Sequence, residues 1–144
     1  MQLVLSLIIV SLSLIGIADS GYISWYEWQQ IIPECGGNFD CGTVLSSPWA
    51  HIGPIPLAYI GFIYYLIAFV LGLLHVIDLE AQTITKKLRR FRATPIELLW
   101  LLTLFGFVFS LYLISIMAFA IGEWCKYCLV SAATSSSLFL LSSI

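Results

Sequence analysis

The chain has 144 residues, 60% of them hydrophobic and only 10% charged, with a mean hydropathy of +1.00. A soluble domain of this size needs far more charge to cover its surface, so a water-soluble globular fold is excluded. The formal net charge of −2 says little about partners, but its distribution is uneven: five of the six basic residues, Lys86, Lys87, Arg89, Arg90 and Arg92, fall within one seven-residue window.

Apolar runs of about 20 residues predict an all-α integral membrane protein. The expected architecture is one domain over residues 1–144, a four-transmembrane-helix bundle with an outer-face loop between the first two helices. The first span is expected over roughly 3–25. No Lys or Arg precedes it, which separates it from a cleaved signal peptide with its positive n-region. Tyr22, Trp25, Tyr26 and Trp28 follow, the side chains that gather at a membrane–water interface. Pro33 to Pro56 is the longest polar stretch, and its Gly, Asn and Pro content predicts a loop.

The second span is expected over 54–77, followed by a connection over Asp78–Thr94. Pro95 suits the first turn of a third span over 95–120, where its missing N–H costs nothing. Glu97 there reads as a favourable charge at a helix N-terminus. The fourth span, 124–144, contains Ser131–Ser137, a run of small residues that suits a helix packed inside the bundle.

The basic cluster sits in a short connection between spans, where Lys and Arg favour the cytoplasmic side. Such a cluster also suits an anionic lipid surface or nucleic acid. Flanked by two spans, it reads as an orientation signal, with membrane lipid as the expected partner and no nucleic acid. Loop 19–54 and the 121–128 connection then lie outside, facing the periplasm, extracellular side or a lumen, and both termini are cytoplasmic.

Four cysteines form two pairs on that outer side, Cys35-x5-Cys41 and Cys125-Lys-Tyr-Cys128. Structural disulfides are one reading in an oxidising compartment, and a tetrahedral zinc site is another. The second pair closes too small a ring to constrain an unfolded chain much. A CxxC opening a helix instead favours a thiolate, with Lys126 adding positive charge, so redox use is the preferred reading and no metal is expected. Two dithiols on one face can exchange electrons, and a bilayer supplies a lipid-soluble quinone as acceptor.

The chain resembles the vitamin K epoxide reductase family over nearly its whole length. The resemblance rests on Cys35-x5-Cys41, Val44-Leu45-Ser46-Ser47, Gly53-Pro54-Ile55-Pro56 and Trp124-Cys125-Lys126-Tyr127-Cys128 on a four-helix plan. A second family of four-helix quinone-linked thiol oxidases carries its pairs in the reverse order. The resemblance implies an enzyme, an oxidoreductase acting on thiols with a quinone as acceptor: ubiquinone, menaquinone or a vitamin K-type quinone. It implies Cys128 as the cysteine that reacts with the quinone and Cys125 as its disulfide partner. Cys41 is implied to attack Cys125, and Cys35 to exchange with a thioredoxin-fold protein. Since no such domain is fused to the chain, that partner is expected to be a separate protein on the outer face.

Exchange needs an accessible thiolate, and the Gly-rich loop lets Cys41 reach Cys125. Cys128 lies one helical turn deeper than Cys125, nearer the hydrocarbon. Quinones sit at higher potential than protein dithiols, so electrons are expected to run towards the quinone and disulfides to form in the partner.

Ser46 and Ser47 match a serine that lies near the quinone in the family, or else cap a turn before Pro48. Tyr59, Phe62 and Tyr65, with Tyr64 beside them, offer aromatic surface for a quinone pocket. Stripes of this kind more often serve helix packing or lipid contact, and Phe105, Phe109 and Tyr112 form a similar one on the third span. His51 reads first as a polar loop residue and second as a proton donor to a quinone; His75 is too far from the thiols to take part. Vertebrate members carry an asparagine and a tyrosine that bond the vitamin, and Leu57 and Ala132 occupy those positions here. That departure favours a plain quinone over a quinone epoxide. The alternatives are an epoxide reductase using the same thiols, and a non-enzymatic scaffold stapled by disulfides or zinc.

Overall fold

The computed structural model describes residues 1–81 and 94–144, without the side chains of 78–81. The basic cluster read as the orientation signal lies outside the described residues. Four long helices dominate: α1 (Gln2–Trp28), α3 (Leu57–Ala81), α4 (Pro95–Ile116) and α5 (Lys126–Ser142), with a short α2 (Cys41–Leu45) in the first connection. Helix α1 packs on α3 and α5, and α4 packs on α5 and α3.

Helix α1 buries Ser6, Ile9, Ser13, Gly16, Ser20 and Ile23, spaced alternately by three and four residues. That spacing keeps one narrow seam of mostly small side chains against the bundle, so neighbouring backbones can approach. The Ser6, Ser13 and Ser20 hydroxyls donate to the carbonyls of Gln2, Ile9 and Gly16, four residues back. A polar group without water must be satisfied internally, and this arrangement lets serine occupy an apolar seam.

Helix α1 runs three residues beyond the expected end at 25 and closes at Gln29, after which Gln30 takes a left-handed φ of 56°. The second span begins later than expected. Pro54 belongs not to a helix but to the turn of a small antiparallel hairpin, β1 (His51–Ile52) with β2 (Ile55–Pro56), pairing His51 with Pro56 and Ile52 with Ile55. Gly53 in that turn has a φ of 63°, a conformation that costs glycine nothing. Helix α4 opens on a capping box: the Glu97 N–H donates to Thr94 Oγ1, and the Thr94 N–H to the Glu97 carboxylate. One π-helical turn, Met117–Ile121, follows and ends at left-handed Gly122.

Among the described residues, three helical stretches, Gln2–Trp28, Leu57–Ile77 and Pro95–Ile121, are long and apolar enough to cross a membrane. Leu14, Ile15, Ile63, Leu66, Leu101 and Leu111 point outward, exposed, as lipid contact would require. The fourth helix, α5, has 17 residues. It rises only about 25 Å, against about 30 Å of hydrocarbon. It buries Ala132, Thr134 and Ser135 of its small-residue run in the bundle, and Leu138 and Ser142 beyond it.

Candidate active site

The stretch expected as a plain loop contains the short helix α2, and this helix positions the first cysteine pair. Asp40 caps it: its carboxylate accepts from the Thr43 N–H at 3.0 Å and from the Thr43 hydroxyl at 2.7 Å. The Asp40 N–H donates to the Trp124 carbonyl at 3.1 Å. One backbone bond thus ties the residue before Cys41 to the residue before Cys125.

Those Thr43 bonds hold the Asp40 carboxyl below its usual range. A depressed folded-state pKa stabilises the fold above the unfolded value of about 4, and the contribution disappears as pH falls through the folded value. Asp40→Ala should therefore flatten the acid limb of a Tm-versus-pH profile below about pH 4, leaving its shape near neutrality unchanged.

Cys35 and Cys41 form a disulfide with Cα atoms 5.7 Å apart, while Cys125 and Cys128 are free thiols. The sulfurs of Cys35, Cys41 and Cys125 all lie within 4.8 Å of one another. Cys41 and Cys125 are almost wholly buried, at 1% and 0% exposure, in a cluster with Ile23, Val44, Leu45 and Met117. Cys35 is half-buried and borders the exposed Gly36 and Gly37, both at positive φ.

Cys125 is the N-cap of α5, and its sulfur accepts the Cys128 N–H at 3.4 Å. The Cys128 thiol and the backbone amides of Cys128 and Tyr127 hold the Cys125 thiol below its ordinary pKa, against the opposing effect of burial. The contribution of the amides, smaller than that of the Cys128 thiol, is what a helix N-terminus supplies. The Tyr127 ring lies 5.4 Å from that of Tyr22 on α1, bracing the CxxC against the first helix.

Behind Cys128 a cavity of about 220 Å³ opens between the four long helices and the outer connection. Its walls are mainly apolar, with Asp19, Ser47, Tyr65 and Ser131 among its few polar groups. The Tyr65 hydroxyl donates to the Ser131 carbonyl at 2.6 Å and lies 2.9 Å from Ser131 Oγ. Tyr64, also on the wall, pairs with Ser135 at 3.1 Å.

Of the five residues expected at a quinone pocket, Ser47 and Tyr65 line this cavity, and Ser46, Tyr59 and Phe62 do not. The Ser46 hydroxyl is exposed and donates to the Gly42 carbonyl, closing α2. Phe62 packs towards Gly21 of α1. Phe105 and Phe109 reach the wall and Tyr112 does not; Leu57 and Ala132 both do. His51 lies outside the wall, its Nδ1 3.4 Å from the Ser47 carbonyl and its Nε2 4.0 Å from the Glu27 carboxylate.

Asp19 is the wall residue that the motifs pass over. Its signal is nevertheless present, since it is the one charged residue in the apolar run 3–25, and a charge inside a span is costly without a role.

A cavity of this size falls below the 300–1,000 Å³ or so that encloses a drug-sized ligand. It suits a ring headgroup whose tail lies among lipid, and its apolar walls with a few oriented polar groups fit a quinone. In the comparison with known families, the profile of the Vitamin K epoxide reductase family matches residues 7–143. Among curated proteins no relative matches the chain. With the match covering nearly every residue, both cysteine pairs and all four long helices, the chain belongs to the vitamin K epoxide reductase family of membrane oxidoreductases, which join thiol to quinone redox chemistry.

Proposed function

We propose that the protein is a thiol:quinone oxidoreductase that carries electrons from a reduced thioredoxin-fold protein through Cys35 and Cys41 to Cys125 and Cys128 and on to a quinone. The observation that carries this reading is the meeting of the two pairs at the edge of one apolar cavity: the sulfurs of Cys35, Cys41 and Cys125 lie within 4.8 Å of one another, and Cys128, whose N–H donates to the Cys125 sulfur, is on the cavity wall. In this reading α5 is the fourth transmembrane helix. The thiols face the periplasm, extracellular side or a lumen, and both termini are cytoplasmic.

A thiolate of the partner attacks Cys35, the more accessible sulfur of the first pair, and Cys41 leaves as a thiolate; the partner's second thiol then closes its own disulfide and releases Cys35. Cys41 attacks Cys125 in the Cys125–Cys128 disulfide, and Cys128 departs as a thiolate facing the cavity. Attack of Cys35 on the Cys41–Cys125 bond then restores the first disulfide and leaves Cys125 and Cys128 reduced, the redox state seen in the structure. A bound quinone supplies a two-electron, two-proton acceptor of high potential, so each 30 mV or so of gap adds roughly 1.4 kcal/mol towards disulfide formation. Tyr65, held by Ser131, shapes the wall beside Cys128. The apolar Leu57 and Ala132 favour ubiquinone or menaquinone over a vitamin K epoxide.

Three sulfurs at this spacing would also suit a soft metal if all were thiolates, but the Cys35–Cys41 disulfide leaves only Cys125 of the three able to ligate.

The test is to purify the protein in detergent and supply dithiothreitol, or a reduced thioredoxin-fold donor, with ubiquinone or menaquinone. Quinone absorbance should fall in step with donor oxidation. A folded preparation that consumes neither quinone removes the proposal.

A further inference from the structure

We propose that Asp19 is the proton carrier of the quinone step, taking the proton released at Cys128 and delivering it to the quinone oxygen. The inference deepens the thiol:quinone reading and rests on it. Asp19 sits on α1 about 13 Å below Trp28, measured along the helix. It lines the cavity together with Cys128 and Tyr65. Its Oδ2 is fully buried and has no hydrogen-bond partner among the described residues. An unpartnered carboxylate within an apolar span destabilises the fold, so its presence on the same cavity wall as Cys128 calls for a use in the reaction. The other titratable groups on the wall are Glu27 on the same helix, Tyr64 and Tyr65 from α3, and Tyr127 and Cys128 from α5; α4 brings none. Tyr64 and Tyr65 are already paired with Ser135 and Ser131, and Glu27 faces His51 at 4.0 Å, which leaves Asp19 as the wall acid with a buried, unpartnered oxygen among the described residues.

The step balances without a further reagent. The Cys125 and Cys128 thiols give up two electrons and two protons as their S–S bond closes, and the quinone becomes the hydroquinone. Asp19 accepts the Cys128 proton as a carboxylate, passes it on, and ends the turnover in its starting form. The proton given up at Cys125 balances the second one taken up by the hydroquinone.

The test separates the two half-reactions in Asp19→Asn and Asp19→Glu. Pre-reduced protein mixed with a short-tailed ubiquinone reports the quinone step in a single turnover. Reduction of the Cys35–Cys41 disulfide by dithiothreitol, without quinone, reports thiol exchange alone. Asp19→Asn should slow the first by on the order of 100-fold, the scale of a lost proton-transfer group, and leave the second unchanged. Its Tm should be equal to or above that of the wild type, because a buried charge has been removed. Asp19→Glu, which keeps the carboxyl, should retain at least about a tenth of the single-turnover rate. A wild-type quinone step in folded Asp19→Asn overturns the role. So does an Asp19→Glu protein as slow as Asp19→Asn, and, should Asp19→Asn fail to fold, the Asp19→Glu rate decides alone. If wild type itself reduces no quinone, the thiol:quinone reading fails instead, a result distinct from either.

Discussion

Replacing Cys128 by alanine is expected to abolish quinone reduction, by roughly a thousandfold or more, the scale on which loss of a reacting nucleophile is felt. Cys128 is the one cysteine on the cavity wall, so no other sulfur can take its place there. Folding should survive, because Cys128 is only partly buried and the α5 N-cap bond runs to the Cys125 sulfur from a backbone amide that alanine retains. The Tm should accordingly stay within a few degrees of wild type. Removing Cys35 together with Cys128 should leave Cys41 and Cys125 as a stable mixed disulfide, resolved as a mobility shift on a non-reducing gel. Their sulfurs already lie within 4.8 Å, so little movement is needed. A double variant that stays fully reduced under oxidising conditions would contradict the exchange order.

The second large effect is on stability. At Gly16 an added Cβ would overlap the ring of Tyr65, which is 1% exposed and held at its hydroxyl by Ser131. A helical glycine replaced by alanine gains about 0.5–1 kcal/mol of backbone entropy. Overpacking costs about 1–3 kcal/mol, and moving the ring into the cavity would break the hydroxyl contacts with Ser131. The loss wins, so Gly16→Ala should lower the Tm by several degrees. It should also weaken quinone reduction, because the displaced ring is part of the cavity wall. Gly61→Ala is the matched control on α3. There the nearest atom, Ser20 Cβ, is 3.8 Å from the new methyl group, so its Tm should stay level or rise. Equal Tm values for the two variants, followed by near-UV circular dichroism in detergent, would show that the Tyr65 contact is looser than described.

The amino-acid sequence by itself determines the membrane class and the positions of the long helices to within a few residues, and it offers the two cysteine pairs as the candidate chemistry. These rest on local physics: about 20 apolar residues must be helical in lipid, and a CxxC opening a helix meets its positive end whatever surrounds it. Asp19 was legible in the same way, as a lone charge in an apolar run, although no motif points to it. The family resemblance was equally a matter of ordered local motifs.

Tertiary structure alone decided which groups share the site. Nothing local says that the Asp40 amide bonds to the Trp124 carbonyl, 84 positions away, yet that bond sets Cys41 against Cys125. Helical periodicity could not tell Tyr65, which faces the cavity, from Tyr59 and Phe62, which do not, because all three lie in one uniformly apolar helix. In a span surrounded by lipid, apolar side chains suit every face. The inward face is chosen by long-range steric fit, such as Gly16 receiving the Tyr65 ring, and such fit exists only once the helices have met.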